Sequence, residues 1–314
     1  MELIFEKRYK VAIIGSTGKV GEAIVNYLYD NTDWELMLFS STYRSEKNDN
    51  GKHLIPIDYL DCNSLTNKFR LLHPDIIINT AAMTNVDACE TDRAGAWGVN
   101  VDFVSCVASV AHELNSKLIH ISTDYIFDGE DGPYYEFDEP NPISWYGYTK
   151  SLGETKTEIE GLNSCILRTN VVYGNSTYGK TDFVKWVVNE LRNNRKIKIV
   201  SDQYSNPTIT DDIALAVYKV IKLDKTGIYN IGGSDYCNRY SFAKKIANIF
   251  MLDESLIDST TTTELNQPAK RPLQSGLVTS KAKTELGIEF MSIEKGILVL
   301  KEKYGYGNNF KKNK

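Results

Sequence analysis

Residues 10–15 (KVAIIG) form a short apolar run that leads directly into a glycine-punctuated turn, GSTGKVG at 15–21, and then into an amphipathic stretch at 19–30. A run of that length ending at glycine reads as a buried strand, and the turn commits the chain to a strand–loop–helix unit. The unit recurs. Apolar runs stand at 35–40 (ELMLFS), at 75–79 (DIIIN, introduced by Pro74), at 117–122 (KLIHIS) and at 164–169 (SCILRT). Residues 100–114 read as a helix, with Val101, Val104, Val107, Val110 and Ala111 as its apolar positions. Apolar strands separated by helices predict a parallel sheet covered on both faces. The expected fold class is therefore α/β, a Rossmann-like doubly wound sheet that binds ligands at the carboxyl ends of its strands.

After about residue 170 the rhythm changes. Helices are expected at 182–193, at 211–221, from 241 and from 293, and strands at 197–200 and 227–232, with a polar stretch at 258–270. The reading is a cofactor-binding domain over 1–170 and a smaller α/β domain over 171–305, mainly for substrate. The second is packed against the first and partly interwoven with it, and a basic tail follows at 306–314.

A chain of 314 residues buries roughly three quarters of its unfolded surface and needs no covalent staples. Its net charge of −5 gives no electrostatic footprint for nucleic acid. Cysteines at 62, 89, 106, 165 and 237 form no CxxC pair. Such an odd, scattered set predicts a reducing compartment rather than a disulfide framework, and no metal site. The opening MELIFEKRYK lacks the apolar core of a signal peptide, and no apolar run approaches the roughly 18 residues of a membrane span. A cytoplasmic protein without membrane partners is expected.

In the GxxGxxG turn, glycines permit a tight bend and close backbone approach, and the helix N-terminus attracts a pyrophosphate. The same pattern also occurs as a plain strand-to-helix turn. The second strand ends in FSSTYR, residues 39–44, without the acid that accepts from the ribose hydroxyls of NAD. Hydroxyls and Arg44 suit a 2′-phosphate, which points to NADPH. A solvated loop, with NADH as cofactor, stays open.

Tyr146 and Lys150 stand four apart, on one face of a helix. A phenol needs a nearby ammonium to bring its ordinary pKa near 10 toward neutral pH. Thr123 follows the strand at 117–122, where a hydroxyl can hold a reacting carbonyl or merely cap a loop. Any one of these matches arises by chance. Glycine loop, Thr123 and Tyr146 with Lys150, in that order, rarely do so together.

HISTDYIFDG, NPISWYGYTKSLGE and LRTNVVYG, with LLHPDIIINTAAMTNVDACE, SDQYSNPTITDDIA, GIYNIGG and PAKRP, together resemble the dTDP-4-dehydrorhamnose reductases. These are a branch of the extended short-chain dehydrogenases. The resemblance spans nearly the whole chain. It implies a cofactor loop at Gly15, Ser16, Thr17, Gly18, Lys19, Val20 and Gly21. It implies further cofactor contacts at Asp61 and Cys62 and at Ala82, Met83 and Thr84, the last also near the substrate. The catalytic trio falls on Thr123, Tyr146 and Lys150, with Asp124 at the sugar, while Asn100 is read as structural. Where the family usually has Ser-Trp after LRT, this chain has Asn170 and Val171. A valine cannot stack on a sugar or base, so the pocket is expected to be roomier there.

The resemblance implies a nicotinamide-dependent reductase of a nucleotide-linked 4-keto-6-deoxyhexose. Pro207, Thr208, Arg271 and Pro272 would face the cleft, and Arg271 is the expected diphosphate partner, a solvated surface position being the alternative. Dehydratases of the superfamily carry a glutamate two places after the threonine, where this chain has Tyr125. An epimerase, or a non-catalytic subunit like that of methionine adenosyltransferase, remains a rival. The nucleotide base, a need for Mg2+ and a monomeric or homodimeric state stay open.

Overall fold

The computed structural model describes residues 7–41, 53–161, 163–177, 181–303 and 305. Six parallel strands come from the first half: β1 (Lys10–Ile14), β2 (Glu35–Ser40), β3 (Leu54–Pro56), β4 (Ile76–Asn79), β5 (Lys117–Thr123) and β6 (Ser164–Thr169). The strand Gly227–Ile231 joins them beside β6 and completes a seven-stranded sheet. From that strand the order runs β6, β5, β4, β1, β2, β3. The chain winds outward through β2 and β3 on one side of β1 and through β4, β5 and β6 on the other. The crevice between β1 and β4 is therefore the topological switch point where ligands bind.

The helices of the first half are α1 (Lys19–Asn31), α2 (Cys62–Leu72), α3 (Val86–Thr91), α4 (Arg93–Trp97), α5 (Phe103–Glu113) and α6 (Trp145–Glu160). The second half supplies α7 (Phe183–Arg192), α8 (Thr210–Lys222) and α9 (Arg239–Ile249). Alternation along β1 divides the core in two. Val11 and Ile13 pack with Ile24 and Leu28 of α1 and with Ile213 and Val217 of α8. Ala12 and Ile14 pack with Leu65 and Phe69 of α2 and with Val107 and Ala111 of α5. A third core gathers α7, α9 and the helix Ile293–Lys303 around Ile197 and Ile199.

Two expectations are corrected here. Cys62 and Cys106 are joined in a disulfide. They lie 44 positions apart, on α2 and α5, and only the packing of those helices brings them together. Residues Arg93–Glu113 form 21 continuous helical residues that contain an 18-residue stretch of mean hydropathy 1.3, by length and composition enough to cross a membrane. Phe103, Val104, Val107, Val110 and Ala111 are instead buried against the sheet.

Candidate active site

At the switch point lies a cleft of about 850 Å³, lined by both halves of the chain. That is the upper part of the range of roughly 300–1,000 Å³ usual for small-molecule sites. Its floor is the glycine turn. The backbone N–H groups of Gly15 and Ser16 both donate to the Phe39 carbonyl (3.0 and 3.1 Å), and Gly18 N–H donates to the Gly15 carbonyl (2.9 Å). Gly15 sits at φ 78°, where a side chain would press on Thr80 and Ala81, and a Cβ at Gly21 would run into the Gly15 carbonyl. No side chain caps α1 at Gly18, so its first N–H groups face the cleft as an anion site. These features fit the pyrophosphate of a dinucleotide. Gly15, Thr17, Gly18, Lys19, Val20 and Gly21 line the cleft. Ser16 does not: it is buried, its Oγ donating to the Phe39 carbonyl at 3.0 Å. Arg44 lies outside the described residues.

Asp61 and Cys62, expected to contact the cofactor, are not among the residues that line the cleft. The Asp61 carboxylate accepts from Ser64 N–H at 2.9 Å and caps α2, and Cys62 is bonded to Cys106. Ala82, Met83 and Thr84 do line the cleft. Asn100 holds that turn: its Oδ1 accepts from Met83 N–H (2.9 Å), and its Nδ2 donates to the Met83 carbonyl (3.2 Å) and to Thr149 Oγ1 (3.1 Å). It sits in a single π-helical turn, Gly98–Asp102, that divides the stretch read from sequence as one α-helix.

Register carries Thr123 into the cleft. Asn79, the last residue of β4, pairs with His120, so β5 extends three residues further before ending at Thr123. The Thr123 hydroxyl donates to Asp124 Oδ1 (3.0 Å) and accepts from Tyr125 N–H (3.3 Å). Ser144 caps α6, its Oγ accepting from Gly147 N–H at 3.2 Å. That cap starts the helix so that Tyr146 and Lys150 present themselves to the cleft one turn apart. Both are buried.

The electrostatics differ from the sequence expectation. Burial pushes the Tyr146 phenol above its ordinary range, and a hydrogen bond with Thr123 opposes it. Lys150 is directed elsewhere. Its Nζ donates to the Ile121 carbonyl (2.8 Å) and lies 3.1 Å from His120 Nε2. Burial pushes the Lys150 ammonium down to about 8, against the charge of Glu154. Asp124 is pushed up to about 6 by burial, while bonds from Ser275 and Thr123 and the charge of Arg239 hold it down. Tyr125 stacks edge-on against Tyr146, with ring centroids 5.6 Å apart.

From the second half, Asn170, Val171, Asp182, Phe183 and Arg239 complete the lining. Val171 takes φ 44°, the left-handed region that a β-branched residue rarely enters. Arg271, the expected diphosphate partner, is engaged by other groups. Both of its terminal nitrogens donate to the Asp87 carboxylate (2.9 Å each), Nη1 also donates to the Ala269 carbonyl (2.7 Å), and it does not line the cleft. Among the described residues, the arginine in the cleft is Arg239, the first residue of α9 after the Asn238 cap, with its guanidinium 5.4 Å from the Phe183 ring centroid. Nothing in its sequence neighbourhood marks it.

Comparison with known proteins matches residues 9–304 to the family model described as "RmlD substrate binding domain". The "Probable low-salt glycan biosynthesis reductase Agl14" of Haloferax volcanii is 30% identical over 92% of this chain and 96% of its own. The dTDP-4-dehydrorhamnose reductase of Sinorhizobium fredii is 35% identical over 75% of this chain and 82% of its own. Methionine adenosyltransferase 2 subunit beta of Bos taurus is 28% identical over 89% and 83%. Among solved structures, a dTDP-4-dehydrorhamnose reductase of Clostridium acetobutylicum has a TM-score of 0.82 and 30% identity, covering 92% of this chain and 96% of its own. The Bacillus anthracis reductase in complex with NADP has a TM-score of 0.80 and 26% identity, covering 93% and 98%. With almost its entire length accounted for in this way, the chain belongs to the RmlD family.

Proposed function

We propose that the protein is a nicotinamide-dependent oxidoreductase that reduces the C4 carbonyl of a nucleotide-linked 4-keto-6-deoxyhexose, with dTDP-4-dehydrorhamnose as the leading substrate and NADPH as the leading cofactor. The observation that carries this reading is convergence. The glycine turn, Thr123 at the end of β5, and Tyr146 with Lys150 on α6 come from three separate stretches of chain and open into one cleft. The choice of NADPH rests on the missing acid after β2, where Ser41 lines the cleft and Ser40 Oγ lies 2.7 Å from Thr17 Oγ1.

The nicotinamide, when bound, supplies the hydride. With the cofactor bound, the α1 N-terminus and Lys19 would hold its pyrophosphate, and Lys150 would grip the adjoining ribose. Thr123 turns its hydroxyl from Asp124 toward the substrate carbonyl and fixes it. Tyr146 delivers the proton to the carbonyl oxygen as charge develops there; its raised affinity for that proton keeps the phenol protonated until the substrate arrives. Arg239 provides the cation for the diphosphate that Arg271 was expected to provide. Positioning in a closed cleft contributes much of the acceleration. Tyr125 stands where a dehydratase has its acid, and it cannot serve as a carboxyl.

Tyr146→Phe tests the reading. Turnover of dTDP-4-dehydrorhamnose should fall about 10²–10⁴-fold, the usual worth of a general acid, with cofactor binding retained. UDP, GDP and CDP analogues run beside it identify the base. Wild-type protein that binds the cofactor but reduces none of them would favour the regulatory role of the methionine adenosyltransferase subunit.

A further inference from the structure

Behind the catalytic helix lies a buried polar chain that the mechanism above does not use. His120 is fully buried in β5, with Nε2 3.1 Å from Lys150 Nζ and Nδ1 3.3 Å from Asn79 Nδ2. The direction of the chain follows from its far end. Ala81 N–H donates to Asn79 Oδ1 at 3.1 Å, which fixes that amide with its oxygen toward the backbone and its Nδ2 toward the imidazole. An amide nitrogen only donates, so Nδ1 accepts, and the neutral ring must then carry its proton on Nε2. That N–H points at Lys150. A lysine nitrogen can accept from it only as the uncharged amine, because an ammonium has no lone pair.

We infer that His120, held in the Nε2–H form by Asn79, is a positioning residue for Lys150: it fixes the Nζ atom beside the cleft and favours the amine over the ammonium. The inference rests on the reading of Lys150 as half of the catalytic pair. The remaining groups around Lys150 fit it. Nζ donates to the Ile121 carbonyl of β5, as an amine still can. The charge favouring the ammonium is Glu154, one turn further along α6, and it is engaged by Arg168 of β6 at 2.8 Å. Asp124, Tyr125 and Cys89, from the turn after β5 and from α3, act on Tyr146. Burial keeps the imidazole neutral, and whenever Lys150 carries its proton that charge acts in the same direction. Lys150 therefore changes its proton inventory close to the working pH, when ribose and substrate oxygen arrive.

The test has two readouts on the full-length protein. Nitrogen NMR of histidine-labelled protein, with His120 assigned through His120→Gln, reports which ring nitrogen is protonated. The expected result is a proton on Nε2 and none on Nδ1. The pH dependence of NADPH affinity is then measured in wild type, His120→Gln and Asn79→Asp. A carboxylate at 79 accepts from Nδ1–H, moves the ring proton there and leaves Nε2 free to accept from the ammonium. The pH at which affinity falls should rise by about one unit or more in Asn79→Asp and in the same direction in His120→Gln. A proton on Nδ1 in wild type, or an unmoved pH profile in both variants, overturns the inference. Failure of the wild type to bind NADPH would overturn the reading of the site, while the nitrogen spectra still decide the His120 arrangement.

Discussion

Lys19, the first residue of α1, and Asp182, the cap of α7, form an ion pair of 2.9 Å between the two halves of the chain. Both line the cleft, and the aspartate is almost fully buried. The same carboxylate accepts from the N–H groups of Gly174 (3.2 Å) and Lys185 (2.8 Å). An incoming pyrophosphate must therefore compete with Asp182 for Lys19. Asp182→Asn keeps one acceptor oxygen, enough for the Lys185 N–H that it caps, while removing the competing charge, so it should tighten NADPH binding about 3–10-fold, up to about 1.4 kcal/mol. Lys19→Met should weaken binding by a similar factor. Calorimetric titration at low and high salt checks both, and dissociation constants unchanged in both variants would show that Lys19 never meets the cofactor.

Asp124 makes stability depend on pH in an unusual direction. Its folded-state pKa of about 6 lies above the ordinary 3.8. Between those values the folded protein binds more protons than the unfolded chain, so this group's contribution to stability falls as pH rises from about 4 to about 6. A gap of two units corresponds to roughly 3 kcal/mol at most. Asp124→Asn should remove that slope and be more stable than wild type at pH 7, though less active. Denaturant unfolding of both proteins from pH 4 to pH 8 gives the answer. Parallel stability curves would mean the carboxylate is already ionised at pH 4.

Arg271 should behave as a structural brace. Its bidentate bond draws the Asp87 carboxyl below the usual range. Asp87 is partly exposed, which lessens the value of the pair. Arg271→Ala and Asp87→Ala should each cost about 1–3 kcal/mol of stability, and the double variant should lose clearly less than their sum. Arg239→Ala should instead raise KM for the nucleotide-sugar about tenfold or more, since charged hydrogen bonds are worth roughly 1.5–3 kcal/mol. If Arg271→Ala raised KM and left stability intact, the assignment of the two arginines would be reversed.

How legible was all this in the sequence? β1, the glycine turn and α1 were plain, because a strand, a glycine bend and an amphipathic helix each have a local period or a local steric demand. Tyr146 and Lys150 were legible for the same reason, as helical spacing alone puts them on one face. What failed was non-local. Arg271 and Arg239 both sit in polar surroundings, and only Asp87, 184 positions away, shows which of them is neutralised. Cys62 and Cys106 meet because α2 packs on α5. His120 read as one more residue of a buried strand, and its partners Asn79 and Lys150 lie on two other elements.

The strand Gly227–Ile231 has a consequence for how the protein is made. Until it is synthesised, β6 presents a bare edge of backbone donors and acceptors to whatever else is in solution. The face of the sheet carrying Val11, Ile13 and Ile119 also waits for α8, whose Ile213, Ala216 and Val217 cover it. A nascent chain of the first 170 residues therefore holds the whole glycine turn and Tyr146 with Lys150, and yet has an open edge and an uncovered face. A fragment cut there to isolate the cofactor site should aggregate, whereas one ending after residue 231 regains both the seventh strand and the helix over that face.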